Sequence, residues 1–380
     1  MESQKAHLMY GLSGLFPCHL VIAADEKSAK ELYEDYRFYD KRVYYYPAKD
    51  LLFFQADIHG NLLIRQRMQV IRALLEREDE ITVVTSIDGC MDYLAPLEKI
   101  EKQLIHFRND STLDMDKLTA ALVHMGYERV GQVEMPGQFS IRGGIIDIYS
   151  LTEENPWRIE LWGDEIDSIR SFDAQSQRSL ENLDDVTIYP AAEQPMEKNG
   201  VSFLDYFKET ETLFFLDELN HLEENAKAVQ EEFQQSCENR KEKGEISLSG
   251  DWMCTWEELC HKINDRNCVA MSLLDPKKSN WKISGQFNIT VKSMSSYQSS
   301  FELLVKDLKQ YKKEGYQIVL LSGSRTRAER LAKDLQEEGL NAFYGQDSDR
   351  ILQPGEIMVV YGHARRGFEY PLIKFAVITE

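Results

Sequence analysis

Between Phe139 and Phe172 apolar residues recur at every second position in several short runs, and no helical period interrupts them. Successive side chains of a strand point to opposite faces, so runs of this kind bury one face only by pairing into a sheet. Short strands without helices between them pair antiparallel, because a parallel connection needs a crossover of a dozen or more residues. A helix predicted over Met115–Met125 supplies the cover, with its apolar stripe at Leu118, Ala121, Leu122 and Met125. Asp114 is placed to cap its start and Gly126 to end it. The stretch from about 97 to 190 is therefore expected to be an α+β module, an antiparallel sheet with a helix on it.

The sequence on either side follows another grammar. An apolar run His19–Ala24, a helix Lys27–Tyr36 capped by Asp25, a strand Val43–Tyr46 stopped by Pro47, a helix Leu62–Arg77 and a strand Ile81–Thr85 alternate as in a parallel α/β sheet. After the module, Leu213–Leu216 reads as a buried strand ending in Asp217 and Glu218, followed by a charged helix over Leu222–Gln235. The region Lys241–Ser295 carries no clear pattern. A fresh α/β rhythm starts near Phe301, with strands at Ile318–Leu321, Ile357–Val360 and Phe375–Ile378 and a helix at Thr326–Glu338. The expected fold class is α/β, with 1–96 and 191–295 as two halves of one domain, 97–190 inserted between them and 296–380 as a second small α/β domain. The last strand runs into Glu380 with no closing helix, which points to a piece of a longer protein.

Charge narrows the function. With Lys+Arg 44 against Asp+Glu 64 the formal charge is −20, the wrong sign for a protein that holds nucleic acid by neutralising phosphates. From Glu153 to Asp185, ten acids face three arginines (Arg158, Arg170, Arg178), so the module's own field disfavours phosphate and favours a protein partner. No apolar run approaches the ~20 residues that span a bilayer, and Met1 is followed by polar residues, so the chain reads as cytoplasmic with no membrane partner. Six cysteines show no CxxC pairing. Cys260-His261 with Cys268 is the nearest approach to a ligand cluster, and ordinary reduced thiols are the expectation, with no metal.

Candidate sites follow from spacing. Gly11-Leu12-Ser13-Gly14 precedes the first strand in the manner of a phosphate loop, but Leu15-Phe16-Pro17 stands where Lys and Ser or Thr would hold phosphate and Mg²⁺, so the loop is read as degenerate and inactive. Asp217-Glu218 could imitate the acidic strand end of an ATPase and is read as a core strand meeting its turn. Arg65, Arg67 and Arg72 are assigned to the solvated side of their helix. His363-Ala364-Arg365-Arg366-Gly367 is a small basic loop open to an anion. In Trp157–Trp162 the period of two sends Trp157, Ile159 and Leu161 inward and Arg158, Glu160 and Trp162 outward. Phe139 and Ile141 likewise point inward and Arg142 outward. Arginine and tryptophan dominate interface hot spots, so a protein-binding patch at Arg142, Arg158 and Trp162 competes with Trp162 packing under a loop or neighbouring domain. No catalytic triad or paired-carboxylate arrangement follows from spacing.

The run Met135–Tyr149, with Arg158-Ile159-Glu160-Leu161-Trp162 and Asp164–Phe172, resembles the UvrB-interaction-type module shared by UvrB and the bacterial transcription-repair coupling factors. Ser176-Gln177-Arg178-Ser179 resembles the coupling factors more closely than UvrB, and Arg67–Arg77 and Gly11–Gly14 also fit their N-terminal region. The resemblance implies a degenerate helicase-like α/β domain that carries the UvrA-binding module, and it places the UvrA-contacting residues on Arg142, Arg158 and Trp162. It implies no catalysis and no cofactor in this chain. ATP and Mg²⁺ belong to the motor of the full-length family, and RNA polymerase and double-stranded DNA are engaged through domains downstream. The segment from Lys49 to Asn61 is too short for the DNA-probing hairpin of UvrB. Where the family has a helix between the loop and the first strand, Gly14 here runs almost directly into Leu20, so the first βα unit is expected to be incomplete. The expected role is a non-catalytic platform recruiting UvrA to polymerase stalled at DNA damage. Two alternatives stand beside it: a nucleotide-dependent, helicase-like DNA-acting enzyme, and an autoinhibitory module docking on the missing C-terminal part.

Overall fold

The computed structural model describes residues 3–49, 60–77, 80–193, 200–242, 253–274, 281–294, 297, 300–345 and 350–379. They divide into two compact units, one formed by Phe16–Ala29 and Tyr44–Ser279, the other by Met1–Leu15, Lys30–Val43 and Asn280–Glu380. The fold is mixed α/β, with parallel and antiparallel sheets. Among the described residues no helix is long and apolar enough to cross a membrane.

The first unit is built on a five-stranded sheet in the order Asn267–Met271, Thr212–Asp217, Cys18–Ala23, Ile81–Ser86, Val43–Tyr46. Its first four strands pair in parallel. Such strands are covered on both faces and read as continuous apolar runs; Leu20, Val21, Ile22 and Ala23 accordingly have no exposed surface, nor do Phe214 and Phe215. Asp25 caps the helix Glu26–Tyr36 by accepting from Ser28 N at 2.7 Å. The helix Gly60–Leu75 buries Met68, Val70, Ile71 and Ala73. In the region without a clear pattern the structure has a helix Trp256–Asn264, closed at its start by the reciprocal Thr255–Glu258 capping box, and the edge strand Asn267–Met271.

The module has its own six-stranded sheet, in the order Ser179–Leu183, Glu165–Phe172, Trp157–Trp162, Ile145–Ile148, Gln138–Arg142, Glu128–Arg129. Neighbours are antiparallel except the last pair. The helix Met115–His124, capped by Asp114 accepting from Lys117 N, presses Leu118 and Leu122 onto Phe139, Ile146, Ile148, Trp157, Ile159 and Ile169. Each such side chain taken fully from water contributes about 1.5–3 kcal/mol, so this core alone fixes which face of the sheet is left outward.

In the second unit the strands Phe375–Thr379, Gln317–Ser322, Glu356–Tyr361 and Asn341–Tyr344 pair in parallel in that order, flanked by antiparallel Phe368–Tyr370 and Lys292–Ser293. The helices Phe301–Glu314 and Arg325–Glu337 bury Leu304, Leu308, Ala328, Leu331 and Leu335 against it. The loop expected at Gly11–Gly14 is instead the end of a helix, Ser3–Ser13. Ala6 and Met9 of this helix are fully buried, Leu8 packs on Phe368, Tyr370 and Val377, and the His7 ring lies among Tyr39, Phe368, Tyr370 and Phe375. Contacts with the C-terminal sheet, which no local pattern announces, hold this segment helical.

Candidate partner-binding face

Two tight turns shape the outer face of the module. Gly143 (φ +60°) and Gly163 (φ +65°) adopt left-handed backbone at the tips of the hairpins Gln138–Ile148 and Trp157–Phe172, where a side chain would be strained. A Cβ on Gly144 would sit 3.0 Å from the Leu161 carbonyl oxygen, the acceptor side of the adjoining strand. The register then sets two rows on the face away from the core. One runs Arg142, Ile145, Glu160, Ser168; the other Ser140, Asp147, Arg158, Arg170. Trp162 has the same parity and lies beyond them as the last residue of its strand, with 84% of its surface exposed. Among the described residues nothing covers it.

The structure brings the three predicted residues onto one face and adds a fourth that the sequence reading passed over. Asp147 has no exposed surface. Its Oδ1 accepts from Arg158 Nε at 2.7 Å, and its Oδ2 accepts from Arg158 Nη2 at 2.9 Å and Arg142 Nη2 at 2.6 Å. Gln177 Oε1 takes a further bond from Arg158 Nη2 at 3.0 Å. The Arg158 guanidinium lies 4.4 Å from the centroid of the buried Phe172 ring, and its hydrogen bonds to Asp147 hold it still more firmly protonated. Arg158 is thus a clamped cation with 14% of its side chain exposed, while Arg142 shows 47%. Beside them Glu160 pairs with Arg170. The signal for Asp147 was available: in Gly144-Ile145-Ile146-Asp147-Ile148, an acid between two inward isoleucines must point to the outer face.

Arg67 corrects the reading of its helix. It is not solvated but fully buried, donating from Nε to Glu193 Oε1 at 2.6 Å, from Nη1 to the Pro47 carbonyl at 2.8 Å and from Nη2 to Asp92 Oδ2 at 3.1 Å. Its guanidinium stacks over Tyr46 at 4.2 Å, and Lys49 also pairs with Glu193. Burial alone would raise the Glu193 carboxyl, but Arg67 and Lys49 outweigh it and bring it down to about 2. Asp92, with one bond to Arg67 and its Oδ1 unpaired among the described residues, is raised by burial. Ile64, Arg67, Met68 and Ile71 follow the i, i+3, i+4, i+7 spacing of one helix face, so position 67 belongs to the buried stripe whatever its charge. Arg72, by contrast, is partly exposed and bound to Glu76 and Glu153.

The remaining candidates fall apart in space. Gly11 and Ser13 lie in the Ser3–Ser13 helix, Ser13 Oγ donates to the Tyr10 carbonyl, and a Cβ on Gly11 or Gly14 would meet nothing within 4 Å. A phosphate loop needs glycine for close backbone approach, and neither glycine here answers to that need. Asp217 is the buried last residue of its strand, and the Glu218 carboxylate accepts from Leu273 N. Cys260 is buried, His261 stands 3.6 Å from Asp265, and Cys268 Sγ lies 3.3 Å from the Ile263 carbonyl. Among the described residues no three His, Cys, Asp or Glu side chains are grouped to hold a metal. In the basic loop, Arg365 is engaged by Glu31 at 2.7 Å and by Asp35. The connection at 50–59, read as too short for a probing hairpin, lies outside the described residues.

The family model for the UvrB interaction domain matches residues 105–193, the stretch that carries this face. The transcription-repair-coupling factor of Bacillus subtilis (strain 168) is 30% identical over 401 residues, spanning 90% of this chain. The chain resembles the N-terminal region of transcription-repair-coupling factors. The coupling factor of Staphylococcus haemolyticus (strain JCSC1435) is 25% identical over 395 residues, 89% of this chain. The chain spans 34% and 33% of the length of these two coupling factors. Likeness to the coupling factors thus extends through the flanking α/β sheets, whereas the UvrB-interaction match is confined to the module.

Proposed function

We propose that this chain is a docking platform that binds UvrA through the outer face of the module and so serves the coupling of transcription to nucleotide excision repair. The observation that carries the reading is the convergence of Arg142, Arg158 and an 84% exposed Trp162 on one face of a domain matching the UvrB interaction domain. Trp162 is the apolar anchor, which a partner pocket desolvates; Arg142 and Arg158 make charge-assisted hydrogen bonds around it. Residues 97–190 act as the docking module and the surrounding sheets as its scaffold. ATP turnover and contacts with RNA polymerase and DNA are proposed to reside in other parts of coupling factors. The acid-rich charge of the chain, and glycines at 11 and 14 with no close neighbour, support that division.

A titration of the chain with purified UvrA tests the proposal. Trp162→Ala is expected to weaken binding by about 2 kcal/mol or more, and Arg158→Ala by about 2–5 kcal/mol. Unchanged affinity in both variants would sink the reading.

A further inference from the structure

Two arginines on one face of a sheet would repel each other and sample many rotamers. Here they do not stand alone. Arg142 ends the strand Gln138–Arg142, Arg158 lies on Trp157–Trp162, and the strand between them, Ile145–Ile148, carries Asp147 in register with Arg158. The buried carboxylate spends three of its acceptor positions on the two guanidiniums, two bonds to Arg158 and one to Arg142. Phe172 under Arg158 and Gln177 beside it complete the clamp. The Asp147 carboxylate is shared by two cations, which leaves a single positive charge over, on the face that also carries Trp162 and within a module whose other charges are largely acidic.

From this arrangement, and resting on the docking reading above, we infer that Asp147 is a positioning residue for the partner: it locks Arg142 and Arg158 into one preorganised donor unit whose surplus charge receives a carboxylate of the partner. Preorganisation matters because immobilising each long side chain on binding otherwise costs conformational entropy that the interface must offset.

A pure charge account and a positioning account of Asp147 make opposite forecasts. Removing the acid leaves two uncompensated cations, which should attract an acidic partner more strongly if net charge alone matters. If position matters, affinity falls. Asp147→Asn in the full chain is expected to weaken UvrA binding about tenfold or more, and to add no loss in an Arg142→Ala/Arg158→Ala background, because Asp147 acts only through those two side chains. Gln177→Ala, which loosens Arg158 without touching a buried acid, is expected to lose about two- to fivefold and guards against a folding defect in the first variant. Equal or tighter binding by both single variants overturns the inference, as does a full Asp147→Asn loss persisting in the double-alanine background.

A separate readout does not depend on UvrA. In spectra of the chain labelled at arginine Nε, the Arg158 Nε proton is expected to be protected from exchange and to lose that protection in Asp147→Asn; an Nε proton that exchanges equally fast in both overturns the positioning role. Absence of any UvrA binding by the unmodified chain, with Arg158 Nε still protected, would instead strike at the docking reading and remove the partner from the inference.

Discussion

The chain contains two constellations of arginine and carboxylate that share their chemistry and differ in access to water. Around Arg67, two acids, a lysine and a tyrosine ring close over a guanidinium with no exposed surface. Around Asp147, the acid is the buried member, and of its two cations Arg158 keeps 14% of its side chain exposed and Arg142 47%. A charge sealed among partners is matched from all sides and has nothing left to offer. A charge held from behind by a buried acid keeps its front available. The contrast separates a sealed clamp from the proposed docking site without reference to residue type.

The largest test of that contrast is Arg67→Ala. It strands Glu193 and Asp92 in a buried site without their cation and is expected to cost about 3–5 kcal/mol, measured by urea unfolding. UvrA affinity of the remaining folded fraction should not change; a specific loss of binding would break the division between clamp and dock. Trp162→Ala is the mirror case. Exposed as it is, its loss should shift stability by about 0.5 kcal/mol or less while reducing UvrA binding, and a large drop in Tm would show that it packs on something.

Acid tests the sealed site a second way. The folded-state value of Glu193, about 2, lies below its ordinary 4.5, so its contribution is fully present above the ordinary value and is lost as pH falls from about 4.5 towards 2. Glu193→Gln should flatten stability against pH in that window and leave it unchanged in shape above it. The smallest effect is expected at Asp88, a carboxylate with no cation paired to it among the described residues. Burial, with Glu26 and Asp25 nearby, pushes it up to about 6, and its Oδ1 has no partner among the described residues. Its ionisation therefore costs stability as pH rises from about 4 to 6. Asp88→Asn should gain on the order of 1 kcal/mol at pH 7 and nothing below pH 4, by thermal unfolding at the two pH values.

Legibility followed the physics of each element. In the module the period of two is enforced by one shared core, so Trp157, Ile159 and Trp162 could be assigned to faces from the sequence, and Arg142 and Arg158 with them. Arg67 was misread because charge was allowed to outweigh helical spacing; a cation is admitted to a core stripe when acids distant in sequence, Asp92 and Glu193, are brought to it by the fold, and no local window contains them. Asp147 carries no assignment in the sequence reading, since its burial depends on two neighbouring strands. The Ser3–Ser13 helix has no legible face because its Ser3, Gln4 and Lys5 are buried along with Ala6 and Met9, with Ser3 bonded to Asp35 and Leu8 packed on Phe368, Tyr370 and Val377, all far off in sequence. The strands Asn341–Tyr344 and Phe368–Tyr370 went unseen because both are short and defined by their pairing.

The strict alternation in Trp157–Trp162 also dictates which genetic changes the docking face can survive. Substitutions on the outer positions alter one contact at a time. Loss of a single codon between Arg158 and Trp162 would instead exchange inside for outside beyond the lesion, turning the indole towards the isoleucines of the core and a core leucine towards solvent. An even-numbered insertion would keep the parity and displace only the tip, so drift in this strand's length is expected to proceed in steps of two.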